Sequence, residues 1–128
     1  MTAGRYGQAE LLVALWKLGS QEPMLPTSHG ILDRALNAMK EKLPPELGSL
    51  SFSPTSIGLR CYELPDILLA AQEAMLISDL SALVTISEDV AKEIVLSHGV
   101  DIDEAIRVGS ELSEEATSLC RGAVRVVA

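Results

Sequence analysis

A mainly α-helical chain with one small β-hairpin is the fold class that this 128-residue sequence predicts. Three observations point to it. Hydrophobic residues make up 48% of the chain but aromatic residues only 3%, so the core is drawn from Leu, Ile, Val and Ala, which suits packed helices. Apolar residues return at helical spacing in several long stretches. Between Phe52 and Ile86, an extended segment and an apolar helix are followed by two short β-rich runs around a tight turn at Asp79-Leu80-Ser81.

The first helix is expected over Gln8–Leu18, where Leu11, Leu12, Leu15, Trp16 and Leu18 give a wide apolar face and Gly19 follows as a stop. Thr27 or Ser28 can cap a second helix that runs to about Leu43, with Ile31, Leu32, Ala35, Leu36 and Met39 on one side. Pro44-Pro45 ends it, because proline removes a backbone donor and clashes with the preceding turn. The segment Phe52–Tyr62 reads as irregular or briefly extended, and Leu64–Leu76 as an apolar helix. Ser87 opens a further helix with Glu88 and Asp89 at its positive end and Val90, Ile94 and Val95 inward; His98-Gly99 closes it. Asp101 and Glu104 form the pattern of a capping box for a last helix to about Arg121. Its stripe is Ile102, Ala105, Ile106, Gly109, Leu112, Ala116 and Leu119, and Gly122 is its expected stop. The tail from Ala123 is expected to dock or to add an edge strand.

The length fits one domain over residues 1–128, with a core at about 8–97 and the last helix beyond it. Apolar runs fall short of the roughly 20 residues that span a bilayer, so no membrane association is expected. The start, MTAGRYGQAELLVALW, lacks a basic region before an apolar one, which makes the cytoplasm the expected compartment. Cys61 and Cys120 are too few for a disulfide framework and have no metal spacing.

The net charge of −8 is unevenly placed. Residues 1–62 hold six Lys/Arg against five Asp/Glu, and residues 63–128 hold four against thirteen. The second half therefore repels nucleic acid and anionic lipid, and attracts basic partners.

The order of two helices, the pattern F-x-P-x-x-x-G, a helix ending in Leu-Ile, a wing and a further helix resembles a group of winged-helix domains among prokaryotic antitoxin-like and adaptor-like proteins. The residues that carry the resemblance are Phe52, Pro54, Gly58, Leu64, Leu68, Ala71, Leu76 and Ile77, with Val84-Thr85-Ile86 as the returning wing strand. Thr55, Ser56, Ile57 and Leu59 stand where that group often has tyrosines and a second proline, and Met75 stands near a position that often holds glycine. The resemblance implies a winged-helix-like core with additional C-terminal helices, and a regulatory or binding role.

Such a domain would read DNA through the helix Leu64–Leu76, which offers Glu63, Asp66 and Glu73 and no Lys or Arg. Duplex affinity comes largely from phosphate neutralisation, so charge disfavours this mode. A nucleic-acid-binding regulator would rely instead on Arg34, Lys40, Lys42 and Arg60. The favoured expectation is a protein-interaction or regulatory adaptor, with Glu63, Asp66, Glu73, Glu111, Glu114 and Glu115 as partner-facing acids. A second alternative is an acidic inhibitor or antitoxin-like protein that fills a basic groove. Gly109, Ala105 and Ala116 would let a second copy approach the last helix as a homodimer.

Catalysis is not expected. Cys61 reads as a buried, inert thiol and His29 as a neighbour of Asp33 on one helix face. His98, Asp101, Asp103 and Glu104 form the densest group of ligand-type side chains, at a helix junction where each has a structural task. No metal, cofactor or small-molecule substrate is expected.

Overall fold

Residues Leu11 to Trp16 are buried on every side, which places the helix that carries them, α1 (Gly4–Gly19), at the centre of the fold. The computed structural model describes residues 4–27, 30–56, 58–78 and 81–127, with side chains described as far as Cys120. The chain is mainly helical with a small antiparallel hairpin: α1, α2 (Ile31–Ala38), α3 (Pro45–Gly48), β1 (Phe52–Thr55), β2 (Gly58–Cys61), α4 (Leu64–Glu73), α5 (Glu88–Ser97) and α6 (Ile102–Val127). α1 packs against α3, α4, α5 and α6, while α2 lies on α6 and β2. The apolar core cluster of the described residues draws on every helix. Each fully buried Leu or Val in it contributes about 2 kcal/mol of transfer free energy.

α6 crosses α1 at a pair of glycines. A Cβ on Gly109 would run into the Leu15 carbonyl, and one on Gly19 into the Ser110 backbone nitrogen. The stripe Ala105, Val108, Leu112 and Ala116 is buried in the same core. The small residues read as a seat for a second copy are thus buried within the same chain, Gly109 against α1. Ile106, expected inward, is exposed and Val108 takes its place. The backbone stays helical through Gly122 to Val127. Glycine costs a helix about 1 kcal/mol and does not by itself end one.

The second helix is shorter than the sequence predicts. It starts after Gly30, which adopts a left-handed φ of 68°, and it ends at Ala38. Ser28 lies outside the described residues. Lys40, Lys42 and Leu43 continue as turns bonded to Asn37 and Met39. Pro44 and Pro45 do not stop it; Pro45 opens α3, where a first-turn proline loses nothing.

The regular hairpin precedes α4. β1 pairs with β2 in the register Phe52↔Cys61 to Thr55↔Gly58, and Gly58 at φ 115° permits the reversal. Of the two readings of this segment, irregular or briefly extended, the extended one holds, and its two strands pair with each other. Asp33 of α2 anchors it: the Cys61 N–H donates to Asp33 Oδ2 at 2.7 Å, and Arg60 lies 3.8 Å from the same carboxylate. The β-rich runs after α4 form only isolated bridges, Ile77↔Val84 and Met24↔Leu83. The returning run is nevertheless held on both edges. Ser78 N–H donates to Leu83 O and Thr85 N–H to Leu76 O on one side; Leu25 N–H donates to Ala82 O and Val84 N–H to Pro23 O on the other. Asp79 and Leu80, the tip of the expected turn, lie outside the described residues.

α4 ends at Glu73, not Leu76. Leu76 N–H donates to Ala71 O and Met75 N–H to Gln72 O, a Schellman closure that places Met75 at φ 61°. α5 begins as expected, with the Ser87 hydroxyl accepting the Val90 N–H at 3.2 Å. Its inward residues are Ala91 and Val95, with Ile94 half-buried; Val90 is exposed.

Candidate protein-docking surface

The outward side of α4 follows from which of its residues the core takes. Leu64, Ile67, Ala70 and Ala71 are buried, which leaves Pro65, Asp66, Leu69 and Glu73 on the opposite side. Tyr62 stands two residues before the helix and Met75 two residues after it, both exposed. Tyr62 is 79% exposed, Leu69 53% and Met75 80%. These are the side chains a folded domain ordinarily hides, and here they stand between acids.

The first turn of α1 lies beside this stripe. The Tyr6 hydroxyl donates to Glu73 Oε1 at 3.2 Å, and Arg5 Nε sits 3.9 Å from Asp66 Oδ2. The hydrogen bond to Glu73, reinforced by its negative charge, holds the Tyr6 phenol above its ordinary pKa. Both tyrosines of the chain thus lie outside the core, whereas Trp16 is buried, its Nε1–H donating to Glu22 O at 2.9 Å.

Glu63 behaves differently from Asp66 and Glu73. It is half-buried at the start of α4, accepts the Ser51 N–H at 2.9 Å and lies 3.7 Å from the Cys61 thiol. Burial pushes its carboxyl up, but the hydrogen bonds together outweigh that and hold it below the usual range. Its carboxylate secures the hairpin.

The acids of α6 form a separate group. Glu111 accepts from Lys42 Nζ at 3.0 Å and from Arg107 Nη1 at 3.2 Å, and the Lys42 contact foremost holds its carboxyl down. Glu114 and Glu115 line a shallow depression with Lys42, Met39 and Ser118. Lys42 is thereby tied to α6.

Arg34, Lys40, Lys42 and Arg60, the cations a nucleic-acid regulator would rely on, do not share a target. Lys42 is held by Glu111, Arg60 by Asp33, and Lys40 stands 5.5 Å above the Phe52 ring. Among the described residues Arg34 forms no ion pair. Asp33, read as a companion of His29, is buried and committed to the hairpin; His29 lies outside the described residues.

The ligand-type cluster at the α5–α6 junction is dispersed over three tasks. His98 Nδ1 meets Glu46 Oε2 at 2.6 Å and its Nε2 lies 3.5 Å from Glu10, tying α5 to α3 and α1. Asp101 accepts the Asp103 and Glu104 N–H groups at 3.1 and 3.4 Å. Glu104 does not reach back to complete a capping box; it pairs with Arg107. Among the described residues no three His, Cys, Asp or Glu side chains are grouped to hold a metal ion. No described helix is long and apolar enough to cross a membrane.

Burial pushes the Cys61 thiol up to about 11, far from a reactive thiolate at neutral pH. Behind α4, a cleft of about 550 Å³ is lined by Met24, Ile31, Leu68, Gln72, Ala82 and Cys120, among others, with no charged side chain among its described residues. Its polar groups are amide, hydroxyl and thiol, with no acid–base pair.

Comparison with family models, curated proteins and solved structures finds no match to this chain.

Proposed function

We propose that this chain is a non-catalytic, winged-helix-like binding domain that works as a protein-interaction or regulatory adaptor. The observation that carries the reading is the exposed face of α4, where Leu69 stands between Asp66 and Glu73 and no Lys or Arg occurs from Cys61 to Ala91. The winged-helix comparison is supported by the order of elements. Helices α1 and α2, the short α3 and the β1–β2 hairpin lead to α4, and the run after it returns in isolated bridges, in the place of a wing, bonded to the α1–α2 connection. In that frame α4 takes the place of a recognition helix with the wrong charge for phosphate and the right exposed side chains for protein. The raised Cys61 thiol and the structural engagement of His98 support a role without chemistry. An acidic inhibitor of a basic groove, in the manner of an antitoxin, is one form this adaptor function takes.

The test is fluorescence anisotropy of a labelled mixed-sequence duplex, titrated with protein from low to physiological salt. The reading expects no saturable binding. Tight binding that falls steeply with salt would mark a nucleic-acid regulator and assign the work to Arg34, Lys40, Lys42 and Arg60.

A further inference from the structure

We propose that the outward stripe of α4 docks a basic amphipathic segment of a partner protein, and that the first turn of α1 holds the place of that segment in the free domain. The proposal rests on the protein-binding reading above and names the chemistry of the partner.

Leu69 stands between Asp66 and Glu73 at helical spacing, and Tyr62 and Met75 are exposed just before and just after the helix as further apolar and aromatic anchors. Interfaces favour such anchors within a polar rim, and the charged side chains that α4 itself contributes, Asp66 and Glu73, are both negative. Three classes of occupant can be compared on charge. A second copy apposing the same face would set Asp66 and Glu73 against their own counterparts, since a two-fold contact joins like surfaces. Nucleic acid meets the same repulsion. A protein segment with an apolar row flanked by Lys or Arg complements both features.

The chain's own contacts show the same preference. Arg5 approaches Asp66 at 3.9 Å and Tyr6 donates to Glu73 at 3.2 Å, so one cation and one aromatic hydroxyl satisfy the two acids. Both contacts are long and solvent-exposed, hence weak and open to exchange. Met75 adds a conformational signature. It holds a left-handed backbone that glycine would adopt without strain, while most of its side chain stands in solvent.

The probe is a fluorescein-labelled helical peptide with Leu along one face and Lys beside it, and its control carries Glu for each Lys. By anisotropy the Lys peptide binds saturably and the Glu peptide does not. Asp66→Asn with Glu73→Gln weakens the Lys peptide about tenfold. Tyr6→Phe, which frees Glu73 without changing net charge, tightens it about twofold. Glu114→Gln with Glu115→Gln, on the acidic face of α6, leaves it unchanged, and far-UV circular dichroism verifies that each variant is folded. The proposal is overturned by absence of saturable binding, by equal binding of both peptides, or by equal weakening from the α4 and α6 variants. If it falls while the duplex still fails to bind, the protein-binding reading stands and the contact lies elsewhere; duplex binding removes both.

Discussion

Gly19 and Gly109 face each other where α6 crosses α1, so close that neither position has room for a Cβ. The contact sets the separation of the two longest helices and so the shape of the core between them. Gly109→Ala would gain up to about 1 kcal/mol of helix propensity. It would lose more, because the obstacle is the Leu15 carbonyl and not a pliable side chain. A net loss of about 2–3 kcal/mol is expected by urea denaturation. A variant as stable as the parent would show that the helices cross elsewhere.

Met75 predicts the opposite sign. Glycine at this position relieves the left-handed strain and sacrifices little burial, since the methionine is mostly exposed. Part of the gain is offset by the freer unfolded chain. Met75→Gly should raise stability by about 0.5–1 kcal/mol and weaken the Lys peptide. Lower stability together with unchanged peptide affinity would remove Met75 from the docking face.

The Tyr6–Glu73 bond makes a spectroscopic prediction. In a Tyr62→Phe background, Tyr6 is the only phenol, and its ultraviolet titration should lie above the ordinary value of about 10. Glu73→Gln should bring it down, because both the charge and the hydrogen bond to the carboxylate favour the protonated phenol. A titration indifferent to Glu73 would mean that α1 does not hold that carboxylate in solution.

Glu63 ties stability to acid pH. Its folded carboxyl lies below the unfolded value of about 4.3, so its contribution is present above that value and is lost as pH falls through the folded one. Glu63→Gln should cost about 0.5–1 kcal/mol at neutral pH, through the weakened Ser51 contact. Denaturation curves of variant and parent should converge below the carboxylate range. A gap that persists into acid would place the effect in packing.

The helical character of the chain is legible in its periodicity, and α5 opens at the residue its Ser87 cap indicates. Positions fixed by distant contacts are not legible. Ala38 to Lys40 are adequate helix formers, yet the helix stops there and the chain turns. The segment Phe52–Tyr62 reads as irregular or briefly extended because the partner of each short strand is not visible in one dimension; Pro54 is tolerated in an edge strand and Gly58 lies at the reversal. Asp33 reads as a neighbour of His29 because its actual partner, the Cys61 amide, is 28 residues away. The acids of α4 could be named from sequence, whereas Tyr62, Leu69 and Met75 could not, because an exposed apolar residue and a core residue read alike in one dimension. The small residues of α6 are visible in the sequence, but not that they are buried within the same chain, with α1 against Gly109.

The central claim is that the domain presents a protein-docking helix where a nucleic-acid reader would present a cationic one. Amide chemical-shift mapping of isotopically labelled protein, titrated in parallel with the Lys peptide and with a mixed-sequence duplex at low salt, tests it most directly. The account predicts peptide-induced shifts along residues 62–75 and the first turn of α1, with the duplex moving nothing. Duplex-induced shifts around Arg34, Lys40 and Arg60, with α4 silent to the peptide, would contradict it.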